Sequence, residues 1–279
     1  MVAGDVDGLP IAPSRSKILR RVGVDAGRGL RLATRGDSSG TACQMSRLDA
    51  DTAAGEAVAV LVSGGADSAI LCVDLAARGR RVQPIYVRFG LRWEAVELDH
   101  LSRFLAAVAR PQIQPLLVFE EPVREVYGSH WSTGRGADAV PDAETPDEAV
   151  YLPGRNLLLT LKAAIWCRQN GVERIALGSL GSNPFADSSP SFFESWAGVV
   201  NLGLGGRMRF VRPYGDLHKA EVLRIGAEWP LELTFSCLNP VDGKHCGVCN
   251  KCAERRRGFA EAGLTDRTSY ACAGSTSAA

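Results

Sequence analysis

Two groups of residues in this chain have the types and spacing to do chemistry. The first is Ser63-Gly64-Gly65-Ala66-Asp67-Ser68. A run of small and β-branched residues, Ala57–Val62, precedes it and reads as a buried strand; Ala66–Arg78 has helical apolar spacing. A glycine turn between a strand and a helix N-terminus is a phosphate-binding arrangement. Amide N–H groups converge there, the helix dipole favours an anion, and glycine lets the backbone approach closely. No Gly-Lys-Ser/Thr ending follows, and GxGxxG is absent. The second group is Cys237, Cys246, Cys249 and Cys252, in the pattern C-x8-C-x2-C-x2-C. Each C-x2-C turn aims two thiolates at one centre, and Gly247 relieves the crowding. Four thiolates suit tetrahedral Zn2+ and leave no open position, so the expected role is structural. An iron–sulfur cluster and two disulfides are the alternatives; a reducing compartment disfavours the disulfides. His245, beside Cys246, is expected to be an exposed loop histidine, with substitution as a ligand the other reading. Cys72 and Cys167 fall on apolar helix faces and are expected in the core.

Isolated polar residues add to these groups. Pro153-Gly154 makes a turn that leaves Arg155 and Asn156 at a helix N-terminus. Arg155 there has the geometry to fork onto phosphate or carboxylate, against the plainer reading of a surface salt bridge. Asn156 is suited to capping. Lys219, at a later helix start, either neutralises phosphate charge or is an exposed helix residue.

The elements that must position these residues alternate regularly. Strands are expected at Ala57–Val62, Val82–Arg88, Ile113–Phe119, Arg174–Gly178 and Met208–Arg212. Helices are expected at Ala66–Arg78, Trp93–Val108, Asn156–Asn170, Ser191–Asn201 and His218–Glu228. Such alternation implies an α/β fold, a doubly wound and mostly parallel sheet covered on both faces. Ligands then bind at the carboxyl ends of the strands, where Ser63–Gly65 sits. The stretch Glu120–Gly154, with His130, Trp131, Arg135, Asp138, Asp142, Glu144 and Asp147, is too long for an idle connection and reads as a lid or an acidic loop.

The chain has 279 residues, 46% hydrophobic and 23% charged, with a net charge of +1. That is ordinary globular composition and gives no argument for nucleic-acid or membrane-surface binding, so neither direct nucleic-acid contact nor a membrane is expected. No apolar run reaches membrane-spanning length and no secretory leader is evident, so a cytoplasmic location is expected. Met1–Gly55 contains no Phe, Trp or Tyr and is rich in Gly, Asp, Arg, Ser and Ala. It is expected to be a disordered extension, or weakly helical around Lys17–Val22, with Arg15, Lys17, Arg20 and Arg21 on a solvated tail in preference to a basic contact patch. Met45 is the expected start of translation in the cell. The remaining organisation is an α/β domain over 56–235 and a cysteine-bearing segment over 236–279.

The SGGxDS loop resembles that of the PP-loop ATP pyrophosphatases. Further motifs narrow the resemblance: Pro153–Asn156 (PGRN), Asn201–Gly203 (NLG), the helix start Asp216–Glu221, and the cysteines followed by Arg255–Gly263. From about Glu56 to Tyr270 the chain resembles the 7-cyano-7-deazaguanine synthases of the queuosine pathway. This implies ATP with Mg2+, a structural zinc, and conversion of 7-carboxy-7-deazaguanine and ammonia to the nitrile. The nucleotide stretch implied is Val62, Ser63, Gly64, Gly65, Ala66, Asp67, Ser68, Ala69, Ile70, Leu71 and Cys72. Asp67, Ser68, Lys219 and Arg155 are the expected catalytic residues; neither Asp67 nor Ser68 is expected in the core.

Two departures bear on the substrate. Where the family carries Tyr-Gly-Gln-Arg-His after the second strand, this chain has Phe89-Gly90-Leu91-Arg92-Trp93. The loop after Gly178 is shortened, leaving Phe185 to stack on the purine-like ring and Asp187 to accept its hydrogen bonds. Rival readings are a paralogue adenylating another carboxylate, a tRNA-thiolating or amidotransferase-like enzyme, and a non-catalytic zinc knuckle using Lys244, Lys251, Arg255, Arg256 and Arg257. Exposed apolar helices would favour a homodimer.

Overall fold

The computed structural model describes residues 55–134 and 140–272. The expected disordered extension to residue 54, with Cys43 and Met45, lies outside the described residues, as do Arg135 and Asp138. The strands are β1 (Ala57–Leu61), β2 (Arg81–Arg88), β3 (Leu117–Glu120), β4 (Arg174–Leu177) and β5 (Arg209–Val211). The helices are α1 (Ala66–Ala77), α2 (Glu94–Ala107), the single turn α3 (Arg124–Tyr127), α4 (Arg155–Gln169), α5 (Pro190–Leu204), α6 (Lys219–Ile225) and α7 (Asn250–Ala262).

The five strands make one sheet in the order β3-β2-β1-β4-β5. Every pairing is parallel; Leu61 sits opposite Ile85 on one side and Leu177 on the other. Period-two alternation divides β1 between two cores. Val58, Val60 and Val62 pack with Ile70, Leu71 and Cys72 of α1 and with Val222 and Leu223 of α6. Ala59 and Leu61 pack with Ala163, Ala164 and Cys167 of α4. The sheet is therefore buried on both faces, and Cys72 and Cys167 are core residues as expected.

Two elements are shorter than their patterns suggest. β3 begins only at Leu117, although Ile113 bridges to Val82, because Pro115 lies between them without an N–H to donate. Pro115 O accepts a hydrogen bond from Gln83 Nε2 instead. α6 stops at Ile225 and is capped at Gly226, whose Cα lies so close to Ile70 that no side chain would fit. Conversely, α5 starts one residue early, with Ser189 Oγ accepting from Phe192 N and Pro190 in the first turn. Glu120–Gly154 contains only α3 and two short 3-10 turns among its described residues.

Candidate active site

The sheet order reverses between β1 and β4, and a crevice opens outside their carboxyl ends. The Ser63–Ser68 loop enters it from β1. Its shape is fixed internally: Ser68 Oγ accepts from Ser63 N at 3.1 Å and donates to Gly65 O at 3.2 Å. Gly64 has φ +75°, and a Cβ there would lie 2.8 Å from Glu97 Cγ, so both conformation and space require glycine. Gly178, just after β4, comes so near that its Cβ would lie 2.9 Å from Ser68 N. Ser68 is buried, contrary to the expectation that it lies outside the core: the hydroxyl that would meet phosphate also holds the loop together.

A cavity of about 370 Å3 occupies this crevice, within the range of small-molecule sites. Val62, Ser63, Gly65, Asp67 and Ser68 line it, as do Arg155, Lys219 and Phe185. Four of the expected nucleotide residues, Ala69, Ile70, Leu71 and Cys72, do not; like Ala66, they are buried along α1 in the hydrophobic core. Gly64 is turned against Glu97 rather than the cavity.

Asp187 also requires a correction. It is buried and absent from the cavity lining. Its Oδ2 accepts from Asn156 N at 3.1 Å, and its backbone O accepts from Asn156 Nδ2 at 2.8 Å. A carboxylate at the first turn of α4 satisfies an otherwise orphaned amide and complements the helix dipole. Asp187 thus anchors the α4 N-terminus, and Asn156 ties that terminus to the Phe185 loop rather than capping its own helix. Phe185 remains in the cavity wall, stacked on Tyr151 with ring centroids 4.6 Å apart.

Lys219 is the bridge of the site. Its Nζ lies 2.7 Å from Asp67 Oδ2 and 3.5 Å from Glu254 Oε1, so it is not an exposed helix residue. Burial works against its charge, but the Asp67 and Glu254 carboxylates more than offset this and hold it above the ordinary lysine range. Asp67 Oδ1 and Arg155 Nε are both buried without a hydrogen-bond partner. Arg155 forms no salt bridge among the described residues; its guanidinium sits 5.7 Å from the centroid of the Phe89 ring.

Several lining residues are not among those the sequence singles out. Tyr86 lies in the carboxyl-terminal half of β2, and Glu94 and Glu97 occupy the first turn of α2. The position just beyond a parallel strand's carboxyl end, with carboxylates at i and i+3, was the available signal. Burial raises the carboxyl of Glu97 to about 8, although the Tyr86 hydrogen bond and the Arg155 charge oppose the shift. Glu94 is also raised by burial, against the Phe89 and Gly90 amides that donate to it. Trp93 and Trp131 line the cavity together, stacked with centroids 5.7 Å apart.

The four cysteines Cys237, Cys246, Cys249 and Cys252 are buried, with all four sulfurs within 4.8 Å of one another. Two of the separations are 3.9 Å. A tetrahedron with Zn–S bonds of ~2.3 Å has edges of about 3.8 Å, so the cluster fits zinc. Amides of Asn239 and Cys246 donate to Cys237 Sγ, and those of Val248 and Cys249 to Cys246 Sγ, an arrangement suited to thiolates. His245 is neither a ligand nor exposed. It is buried, accepts from Ser236 N through Nε2 at 3.1 Å, and packs on Phe235 and Tyr270. Burial, with the Arg255 charge, lowers it to about 3.

The cysteine cluster heads α7, and α7 reaches the cavity. Lys251 Nζ lies 2.6 Å from Glu254 Oε2 and 3.5 Å from Asp147 Oδ1. Arg255 is buried and donates to Thr268 Oγ1, Thr234 Oγ1 and Leu231 O. Arg256 donates to Gly247 O and lies 4.0 Å over the Tyr270 ring. These cations serve the fold, which removes much of the charge that a nucleic-acid-binding knuckle would need. Asn250 Nδ2 donates to Thr145 O and Asn250 N to Pro141 O, pinning the 140–147 loop to the same helix start.

Residues 56–263 match the family model described as "Queuosine biosynthesis protein QueC". Among curated proteins, the chain is 35% identical to the 7-cyano-7-deazaguanine synthase of Koribacter versatilis, over 78% of this chain and 94% of the relative. It is 33% identical to the protein of that name from Novosphingobium aromaticivorans, over 76% and 93%. With the one from Methanothrix thermoacetophila it shares 31%, over 75% and 96%.

Proposed function

The chain belongs to the queuosine biosynthesis QueC family, and we propose that it is an ATP-dependent ligase converting 7-carboxy-7-deazaguanine and ammonia to 7-cyano-7-deazaguanine. The observation that carries this reading is the convergence of the Ser63–Ser68 loop, Lys219 and Arg155 on one cavity. A carboxylate is a poor electrophile. Transfer of AMP to its oxygen makes a leaving group that ammonia displaces, giving the amide. A second adenylation and loss of AMP gives the nitrile.

The residues supply positioning and charge. Gly65 and Ser68 present amides, and Ser63 and Ser68 hydroxyls, for pyrophosphate at the N-terminus of α1. Lys219 neutralises charge that develops on the phosphates as the α–β bond breaks. Arg155, with its Nε unpartnered, is suited to hold the substrate carboxylate or the α-phosphate. Phe185 and the Trp93–Trp131 pair offer flat apolar surface for the heterocycle. Asp67 Oδ1, buried and unpartnered, is the oxygen that would hold Mg2+; the ion, when bound with ATP, neutralises phosphate charge. Zn2+ on the four thiolates supplies structure and no open coordination position.

A small-molecule acid and ammonia are thus the partners, and no direct nucleic-acid contact is required. No helix among the described residues is long and apolar enough to cross a membrane, in keeping with a cytoplasmic site of action. Leu157, Leu161 and Ile165 on α4 and Val199 and Leu202 on α5 are exposed, which supports a homodimer through these helices. Measuring AMP release with and without the acid tests the reading; the expected result is release that requires it. A second reading, a paralogue acting on another carboxylate, draws on Trp93 in the cavity wall, where the resembled family carries histidine.

A further inference from the structure

The cavity wall carries five carboxyl groups, from Asp67, Glu94, Glu97, Asp147 and Glu254. Four are committed. Asp67 and Glu254 pair with Lys219. Asp147 lies 3.5 Å from Lys251. Glu94 accepts from the amides of Phe89 and Gly90 and lies 3.6 Å from Arg88. Glu97 forms no salt bridge among the described residues. Tyr86 OH donates to its Oε2 at 2.5 Å, and no other hydrogen bond from the described residues reaches the carboxyl, which leaves Oε1 for a ligand. The group is buried and its Cγ is packed against Gly64 of the phosphate-binding loop. It is therefore an unpaired carboxyl beside the place where the adenylate would form.

Resting on the ligase reading above, we infer that Glu97 is the proton acceptor of the ammonia-dependent steps. As ammonia attacks the acyl-adenylate, the C–N bond forms and the nitrogen becomes cationic. A nitrogen proton passes to Glu97 carboxylate, and the C–O bond to AMP breaks with its electron pair leaving on the phosphate. The products are the primary amide, AMP and the protonated Glu97. Glu97 returns this proton to solvent before the second activation; the second ATP then adenylates the amide oxygen and releases pyrophosphate, and as C–O cleavage gives nitrile and AMP one N–H proton passes to Glu97 and the other to solvent. The carboxylate of an acid raised to about 8 is a stronger base than an ordinary carboxylate, and its conjugate acid returns the proton to solvent after each of the two steps. The groups that face it set this balance. Tyr86 on β2 and Arg155 on α4 favour the ionised form, while burial and Glu94 on the same helix oppose it.

The test separates adenylation from amide formation. Acid-dependent exchange of pyrophosphate into ATP, run without ammonia, reads the first; single-turnover amide formation reads the second. Unprotonated ammonia is held at a fixed concentration across the pH series, so its own titration drops out. Wild type is expected to show exchange, and an amide rate that rises with pH to a plateau above about 8. Glu97→Gln, which keeps the shape and the Tyr86 contact, is expected to retain exchange within severalfold. Its amide formation should fall by about 10²-fold or more, without the rising limb. Tyr86→Phe removes a donor to the carboxylate and should move the limb to higher pH. Equal loss of exchange and amide formation in Glu97→Gln, or loss of neither, overturns the assignment. An unmoved limb in Tyr86→Phe overturns it too. Absence of acid-dependent exchange in wild type would instead remove the ligase reading, and this inference with it.

Discussion

Lys219 Nζ lies 2.7 Å from Asp67 Oδ2, a contact that joins two residues 152 positions apart. Lys219 also touches Glu254, which in turn holds Lys251. A single line of charges thus runs from the helix headed by the cysteine cluster to the Ser63–Ser68 loop. Replacing Lys219 with Met leaves Asp67 and Glu254 without their shared cation. The pair is partly solvated, so the expected stability loss is roughly 1–3 kcal/mol, short of a fully buried pair. Adenylation should slow by about 10²-fold, as when an electrostatic stabiliser of a transition state is removed. Chemical denaturation and the exchange rate check the two effects separately.

The same line makes the metal a condition of the active site. Elemental analysis should find one zinc per chain. Cys249→Ser should lose it, with apparent metal-linked stabilisation on the order of 10 kcal/mol. Because α7 carries Lys251, Glu254 and Arg255, nucleotide binding should weaken with metal content. ATP affinity that is unchanged after zinc removal would break this link. Iron with sulfide in place of zinc would overturn the metal assignment.

Glu97 gives the folding equilibrium a pH dependence of defined sign. Its folded value is raised from 4.5 to about 8, so the native state binds more protons than the unfolded chain between these values. The contribution to stability is present in full below about 4.5 and is lost as pH rises toward 8. Glu97→Gln cannot lose that proton. Its melting temperature should fall less than that of wild type between pH 5 and 8, and parallel melting curves would contradict the buried, unpaired carboxyl.

Phe185 and Asp187 should separate kinetically. Phe185→Ala removes cavity surface and should raise KM for the acid with little effect on the fold. Asp187→Ala removes the acceptor for Asn156 N and should cost about 1 kcal/mol or more of stability, with kinetic effects that follow from a loosened α4 start. Urea titration beside steady-state kinetics distinguishes them. A stability-neutral Asp187→Ala variant with a large KM effect would restore a direct substrate role.

The sheet and its covering helices were legible because burial on both faces writes short apolar runs, and helical periodicity separates them. The Ser63–Ser68 loop and the cysteines were legible because their chemistry is local in sequence. Residues whose roles depend on distant partners were not. Nothing near Asp187 announces that its carboxylate meets Asn156 N, and nothing near His245 announces Phe235 and Tyr270 around it. Ser68 looked like a ligand group alone, yet it also closes its own loop. Glu97 was hidden because its partner across the site, Gly64, has no side chain to suggest a contact.

The central claim is that one cavity turns a carboxylate into a nitrile with ammonia as the nitrogen source. Its most direct test is mass spectrometry of the product formed by wild-type protein from 7-carboxy-7-deazaguanine, ATP and ammonium labelled with heavy nitrogen. The expected product is 7-cyano-7-deazaguanine carrying the label in its nitrile, with two AMP released for each product molecule. Recovery of the acid unchanged, while AMP forms with a different carboxylate, would contradict it.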